Sequence, residues 1–150
     1  MKTQSKISEK LKKELKLDWI NSDIDNFDYT PSKAKVKLIN FNRHISSEHV
    51  ISELNKQGLR PATLYELAQW AKKNDKEAFN RAYLVVALGS VWRSGDGDRH
   101  VPGLGHWSAG RELNLSNFDG DWLDYYRFAA VRKSFKERNE RLTTTQRRYG

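Results

Sequence analysis

The apolar positions of this chain follow two periods. Over 5–17 (SKISEKLKKELKL), Ile7, Leu11 and Leu15 recur at helical spacing among lysines, which predicts an amphipathic helix. The stretch from Asp18 to Ser32 carries Asp, Asn, Ser and Pro31 and reads as a loop. Residues 33–39 (KAKVKLI) alternate Lys with apolar side chains, the pattern of an edge strand with one buried and one charged face. The helical period returns over 47–57. There Val50, Ile51 and Leu54 make one stripe, Ser46 or Ser47 caps, and Glu48 suits the first turn. Gly58 stands where a left-handed C-terminal residue is wanted. Thr63-Leu64-Tyr65-Glu66 is a capping box, in which hydroxyl and carboxylate each take up a free backbone N–H. Pro61 keeps the chain extended before it. The helix over 64–73 then buries Leu64, Leu67, Ala68 and Ala71, with Trp70 at its side, and a short helical turn follows around 75–81. Residues 83–88 (YLVVAL) are continuously apolar and read as a central strand buried on both faces.

Beyond Gly89 the texture changes. Residues 93–126 are dense in Gly, Ser, Asp and Asn, with strand-like pieces only at 99–104 and 111–115. A last strand follows at 127–133 (RFAAVRK), and the chain after Ser134 starts helically and ends in TTTQRRYG. The order predicts an α+β domain in which two helices flank a mainly antiparallel sheet carrying a long loop-rich insertion. A long segment of weak structure inside a compact domain means either function or a wrong assignment of its elements.

Composition narrows the classes. A chain of 150 residues holds one domain, and five Trp among 11% aromatics oppose disorder despite a mean hydropathy of -0.83. No apolar run is long enough for a membrane span, and the N-terminus lacks the apolar core of a secretory signal, so a cytoplasmic protein is expected. The absence of cysteine removes disulfides, thiolate metal sites and cysteine nucleophiles. The net charge of +8 would ordinarily suggest nucleic acid, yet seven of those charges lie within 1–16 and 134–150. Residues 91–133 balance six basic against six acidic side chains. Residues 1–45 are expected to pack on the domain as a basic helix and an edge strand. Residues 46–133 are read as the ligand-binding domain and 134–150 as a basic tail. Nucleic acid remains a possible partner through the basic ends.

Three segments resemble a known family. Gly58-Leu59-Arg60-Pro61-Ala62-Thr63-Leu64-Tyr65-Glu66-Leu67-Ala68-Gln69-Trp70-Ala71 is similar to the helix entry of the formylglycine-generating-enzyme type of C-type lectin fold. Leu88-Gly89-Ser90-Val91-Trp92 is similar to its "R-G-G-S-W" segment, and Arg127-Phe128-Ala129-Ala130-Val131-Arg132 to its closing "G-F-R-x-x-R" strand. The enzyme of that family works through cysteine, so a chain without cysteine does not carry its activity. Calcium-dependent sugar binding is disfavoured too. No Glu-Pro-Asn occurs, and Trp122 is followed by Leu123 and Asp124 rather than by Asn and Asp.

The resemblance that remains is to the variable proteins of diversity-generating retroelements, whose coding sequence is rewritten at adenines. It implies a surface built from Asn, Asp, Ser, Gly, His, Tyr, Arg, Ala and Leu, without Lys, Gln, Glu, Met or Trp at the changed positions. Residues 93–126 contain no Lys, Gln or Met and a single Glu, Glu112, although the chain has fifteen Lys. On this reading the ligand-binding surface comprises Ser94, Asp96, His100, Gly105, His106, Trp107, Ser108, Ala109, Asn114, Ser116, Asn117, Asp119, Asp121, Asp124 and Tyr125. Arg60, Trp92, Trp122 and Arg127 are scaffold. The expected partner is a protein or cell-surface ligand, with no cofactor and no metal. Small polar residues with rigid aromatics suit such a surface.

Other chemistries compete for the same residues. His100 and His106 with Asp96 and Asp98 could converge on zinc, but no metal-binding spacing is present. Asp96-Gly97-Asp98 faintly resembles a calcium loop without the closing Glu. Asp119, Asp121 and Asp124 offer carboxylates with no partner placed by motif, so solvated loop acids are the better reading. An exposed Trp107 would be a natural binding anchor, although burial is the commoner fate of Trp.

Overall fold

Three pieces of the sequence that never neighbour one another along the chain come together at the entry to one helix. In the computed structural model, which describes residues 6–137, helix α3 runs over Leu64–Lys73. Thr63 Oγ1 accepts from Glu66 N, and the Glu66 carboxylate accepts from Thr63 N at 2.9 Å, so the capping box forms as the sequence predicts. Strand β4 (Leu59–Pro61) leads in and pairs antiparallel with the last strand, β10 (Tyr126–Arg132). Ala62 N then donates to Ala129 O at 2.8 Å, Gly89 N donates to Ala62 O at 2.9 Å, and the buried Ser90 Oγ accepts from Leu64 N at 2.7 Å. The contact at Gly89 is tight. A Cβ there would lie 2.5 Å from Ala62 O and 2.6 Å from Pro61 O, both backbone atoms that cannot yield cheaply.

The remaining elements are α1 (Ile7–Glu14), β1 (Trp19–Ile20), β2 (Val36–Ile39), β3 (Ile45–Ser46), α2 (Ser47–Lys56), α4 (Asp75–Ala78), β5 (Leu84–Val86), β6 (Trp92–Arg93), β7 (Arg99–Trp107), β8 (Gly110–Asn117) and β9 (Asp121–Trp122). Eight strands make one sheet in the order β1-β8-β7-β5-β10-β2, with β4 on β10 and β6 on β7. Strands β3 and β9 form a separate two-stranded ribbon. The sheet is mixed, since β1 runs parallel to β8 and β5 parallel to β10, while the other pairs are antiparallel. The architecture is therefore α+β with a mostly antiparallel sheet and few helices.

The core has two layers because β5 is buried on both sides. Val85 packs with Leu104, Leu113, Ala129 and Val131 against α1 and α3, through Leu11, Leu64, Leu67, Ala68 and Ala71. Val86 packs on the other side with Val101, Phe128 and Ala130 against Val50 and Leu54 of α2, with Ile45, Phe118 and Trp122 of the ribbon region. Burial at ~25 cal/mol per Å² makes these layers the main favourable contribution to folding. Helix α1 belongs to the first layer, with Leu11 and Leu15 buried, and β1 and β2 are strands of the same sheet. Among the described residues no helix is long and apolar enough to cross a membrane.

Two expectations need correction. The stretch 93–126 is not a loop-rich insertion, because most of it is the long β7–β8 hairpin, paired from His100↔Asn117 to Trp107↔Gly110. Pro102, Gly103 and Gly105 lower the strand propensity of β7, of which the sequence shows only the 99–104 piece, and the space over Gly105 is taken by Leu84, whose Cδ2 lies 2.5 Å from where a Cβ would stand. The stretch 18–32 is not wholly loop either. It holds β1 and a 3₁₀ turn at Ser22–Asn26, opened by Asn21, whose side chain accepts from Asp23 N at 2.9 Å. The predicted helical start after Ser134 shows in a reciprocal pair, Ser134 N to Glu137 Oε1 at 3.0 Å and Glu137 N to Ser134 Oγ at 3.1 Å. The rest of the predicted tail, 138–150, and residues 1–5 lie outside the described residues.

Glu66 is the charged group at the centre of the junction. Its side chain is 1% exposed and receives Arg60 Nη1 at 2.9 Å, Arg60 Nη2 at 2.8 Å and Ser32 Oγ at 2.6 Å. Burial alone would raise its pKa. The Arg60 hydrogen bonds, followed by those from Ser32 and the Thr63 N–H, outweigh it and hold the carboxyl at about 2. A depressed folded pKa contributes stability that is complete above the unfolded pKa of 4.5 and is lost as pH falls through the folded value. We expect urea melts to lose about 3 kcal/mol between pH 5 and pH 2 from this one group, at 1.36 kcal/mol per pKa unit. In Glu66→Gln the protein should be weaker at pH 7 by a similar amount, and that part of the acid limb should be gone.

Candidate functional site

Cross-strand partners stand on the same side of a sheet and successive residues on opposite sides. The register therefore places Trp19, Leu84, Gly103, Gly105, Trp107, Glu112, Asn114, Ser116 and Tyr126 on one face, together with Val86, Val101 and Phe128. Helix α2 and the ribbon cover the Val86–Val101–Phe128 end. Toward the hairpin tip the same face is open. Trp19 is 40% exposed, Asn114 and Trp107 are half-buried, and Ser108 and Ala109 in the turn are exposed, while the half-buried Ser116 stands opposite Val101 toward the other end of the hairpin. The floor is smooth because Gly103 carries no side chain, and a Cβ there would lie 3.6 Å from the Trp107 ring and 3.1 Å from Ser116 Oγ.

A small cleft opens beside the tip. His106, Trp107 and Tyr125 from the predicted surface meet Arg81, Ala82, Tyr83 and Leu84 around a volume of about 230 Å³. Tyr125 is 41% exposed and stacks on Tyr126 with ring centres 4.9 Å apart. Burial, followed by the neighbouring Tyr125, pushes the Tyr126 phenol up to about 12.

The other predicted residues lie elsewhere. Ser94, Asp96, His100 and Asn117 gather at the far end of the hairpin, on the side opposite the open face. There the His100 ring lies tilted against Trp92 with ring centres 5.4 Å apart and its Nε2 lies 3.1 Å from Ser94 Oγ. Asp96 accepts from Ser94 Oγ and from Asp98 N, as in an ordinary Asx turn. His100 and His106 stand six residues apart along one strand, about 20 Å at the usual rise, so they do not share a site. Among the described residues no group of three or more His, Cys, Asp or Glu is placed to hold a metal ion. Asp119 pairs with Arg99, and Asp121 sits opposite Ser46 in the ribbon. Asp124 is exposed, and its backbone C=O accepts from Asn40 Nδ2 at 2.9 Å.

Gly105 is buried beneath Leu84 and is not part of the exposed surface, which corrects the reading that placed it there. Of the predicted scaffold, Trp122 is 5% exposed and donates Nε1 to Ser47 Oγ at 2.8 Å, which in turn donates to Phe118 O at 2.6 Å. Trp92 is half-buried against Phe27, and the Arg127 guanidinium lies 4.7 Å from the Tyr83 ring centre. Glu112 is buried and accepts from Ala109 N at 3.0 Å, closing the hairpin turn.

The sequence reading missed Trp19, Arg81 and Tyr83. Trp19 reaches the open face only through a parallel pairing across some ninety residues, for which no local signal exists. It also missed Arg111, which lies inside the 93–126 stretch. Arg111 holds Asp75 with two nitrogens at 3.0 and 2.6 Å, covers the Phe79 ring at 3.8 Å, and donates to Leu15 O and Lys16 O at the end of α1. Comparison with family models, with curated proteins and with solved structures finds no match to this chain.

Arg111 is thus a clasp for α1. Replacing it by Ala should cost about 2 kcal/mol, since the Asp75 partner is largely exposed and most of the loss is packing and backbone contacts. Hydrogen exchange should show protection falling at residues 7–17 before it falls in the sheet. Unchanged protection there would show that α1 is held by its apolar face alone.

Proposed function

We propose that this chain is a non-catalytic ligand-binding protein that displays a replaceable surface on a C-type-lectin-like scaffold, produced by a diversity-generating retroelement. The reading rests on a separation of roles within the chain. The segments carrying the family resemblance, 58–71, 88–92 and 127–132, join one another through backbone hydrogen bonds at the entry to α3. The segment between the last two supplies the hairpin whose tip and open face point outward. Changes at Ser108, Ala109, Asn114, Ser116 and Tyr125 would leave that junction untouched, which is what a surface under continual substitution requires.

Within this reading the contacts of a ligand fall on the tip, the open face and Tyr125, with Trp107 and Trp19 as rigid aromatic area and Ser and Asn as adaptable hydrogen-bonding groups. The far-end group around the half-buried Ser94 and His100 is a second, separate cluster. A ligand that reached both would have to span the length of the hairpin, about 25 Å.

The gene itself tests the proposal. Its flanks should hold a near-copy of the segment coding for residues 93–126, differing from it at adenines, next to a gene for a reverse transcriptase. Sequencing of many descendants of one clone should show changes at the exposed codons and none at Gly89, Gly105, Glu112 or Trp122. Flanks without such a copy, together with an invariant segment, would remove diversification from the proposal.

A further inference from the structure

Strand β2 ends the sheet, since it pairs with β10 alone. The directions of its backbone groups follow from β10. Ala129 gives its C=O to Ala62, on the β4 side of β10. Backbone groups alternate in direction along an antiparallel ladder, so β10 meets β2 through Phe128 and Ala130. Their partners in β2 are Ile39 and Lys37. The N–H and C=O of Val36 and Leu38 therefore point outward, away from the sheet. An edge with such free donors and acceptors is a template for one more strand.

The side chains along this edge fall into two sets. Ala34, Val36 and Leu38 pack toward the first core layer, which α3 shares, and Lys33, Lys35 and Lys37 are exposed. A cleft of about 550 Å³ lies between residues 32–36 and α3, with Ala34, Val36, Tyr65, Trp70, Lys73 and Asn74 in its wall. The one carboxylate in that wall, Glu66, is already held by Arg60 and Ser32. Lys33, Lys35, Lys37 and Lys73 take part in no ion pair among the described residues. The edge is thus cationic along its length, and a socket with two half-buried aromatic rings opens beside its first residue.

We propose that the outer edge of β2 docks an extended acidic segment of another protein, which adds to the sheet as a further strand and places a large side chain in the cleft beside α3. Charge and backbone direction select this occupant. A second copy of the same edge would set Lys33, Lys35 and Lys37 near their own counterparts, and like charges across a strand pair repel. Residues 138–150 of this chain carry four Arg against one Glu and are repelled as well. A nucleic-acid strand would suit the lysines and the N–H groups, but its phosphate oxygens would leave the outward C=O groups of Val36 and Leu38 without donors. A peptide strand matches both kinds of group. Its side chains alternate, so acidic residues would stand with the lysines and apolar ones with the cleft. The proposal does not rest on the proposed function, since β2 and α3 lie outside residues 93–126.

The probe is acetyl-Glu-Val-Glu-Phe-Glu-Val-amide, titrated into the full chain and followed by ¹H–¹⁵N NMR. It should shift the amides of 34–39 and the Trp70 indole saturably, with the weak affinity of a few hydrogen bonds. Acetyl-Lys-Val-Lys-Phe-Lys-Val-amide should bind at least about fivefold more weakly. N-methylation of one alternate set of amides in the acidic peptide should abolish binding, and methylation of the other set should spare it, because only one set faces the edge. Val36→Pro removes an outward N–H that β10 does not use, and should keep the fold while losing the peptide. If that variant melts early, the double variant Lys35→Glu with Lys37→Glu, at exposed positions, carries the test by reversing the preference between the two peptides. Equal binding of both peptides, binding indifferent to the methyl positions, a higher affinity for oligothymidylate, or shifts away from β2 and α3 would each overturn the proposal.

Discussion

The fold depends on the backbone junction at Ala62. Its N–H is taken by Ala129 and its C=O by Gly89, so the chain entering α3, the chain leaving β5 and the final strand are fixed to one another within a single residue. Only glycine at 89 permits the approach, because any Cβ would press on two backbone carbonyl oxygens. The Glu66 carboxylate closes the same junction from the side, neutralised by Arg60 and saturated by hydrogen bonds. A buried charge held this way is weak evidence of net stability but costly to break, which suits a position that fixes geometry.

From this junction the two-sided sheet follows. Strand β5 lies between β7 and β10 and contributes Val85 to one core layer and Val86 to the other. The long hairpin is anchored by its buried middle, through Leu104 and Leu113 on one side and Val101 on the other, so that its tip extends past the part of the face that α2 covers. An open face on a rigid hairpin is a surface whose side chains can differ without moving the backbone beneath them.

Much of this was legible in the chain, and the failures have physical causes. The capping box, the stripe of α2, the edge strand at Val36–Ile39 and the continuous apolar run of β5 are local signals, and each appears where the pattern puts it. The strand-like pieces at 99–104 and 111–115 fall within β7 and β8, but the continuous hairpin is hidden because Pro102, Gly103 and Gly105 lower strand propensity, while the burial that overrides it comes from Leu84 on a neighbouring strand and from Trp107 folded back over its own strand. Strands β1 and β4 pair only with distant partners and carry no period of their own. For the site, residue type identified the polar turn and Tyr125, but it could not separate the tip from the far end, nor show that Gly105 is covered by Leu84, that Glu112 is buried in closing the hairpin turn and that Arg111 clasps α1. Those distinctions depend on where along the hairpin a residue lies and which strand neighbours it, and the register sets that.

The division between fixed junction and replaceable tip is tested most directly by a saturation library over residues 84–132, sorted by resistance to proteolysis as a measure of folding stability. Most side chains should be accepted at Ser108, Ala109 and Tyr125 with losses under about 0.5 kcal/mol, while Gly89, Glu112, Trp122 and Phe128 should accept almost none. Intolerance at the first group equal to that at the second would mean that the tip is part of the core, and the division would not stand.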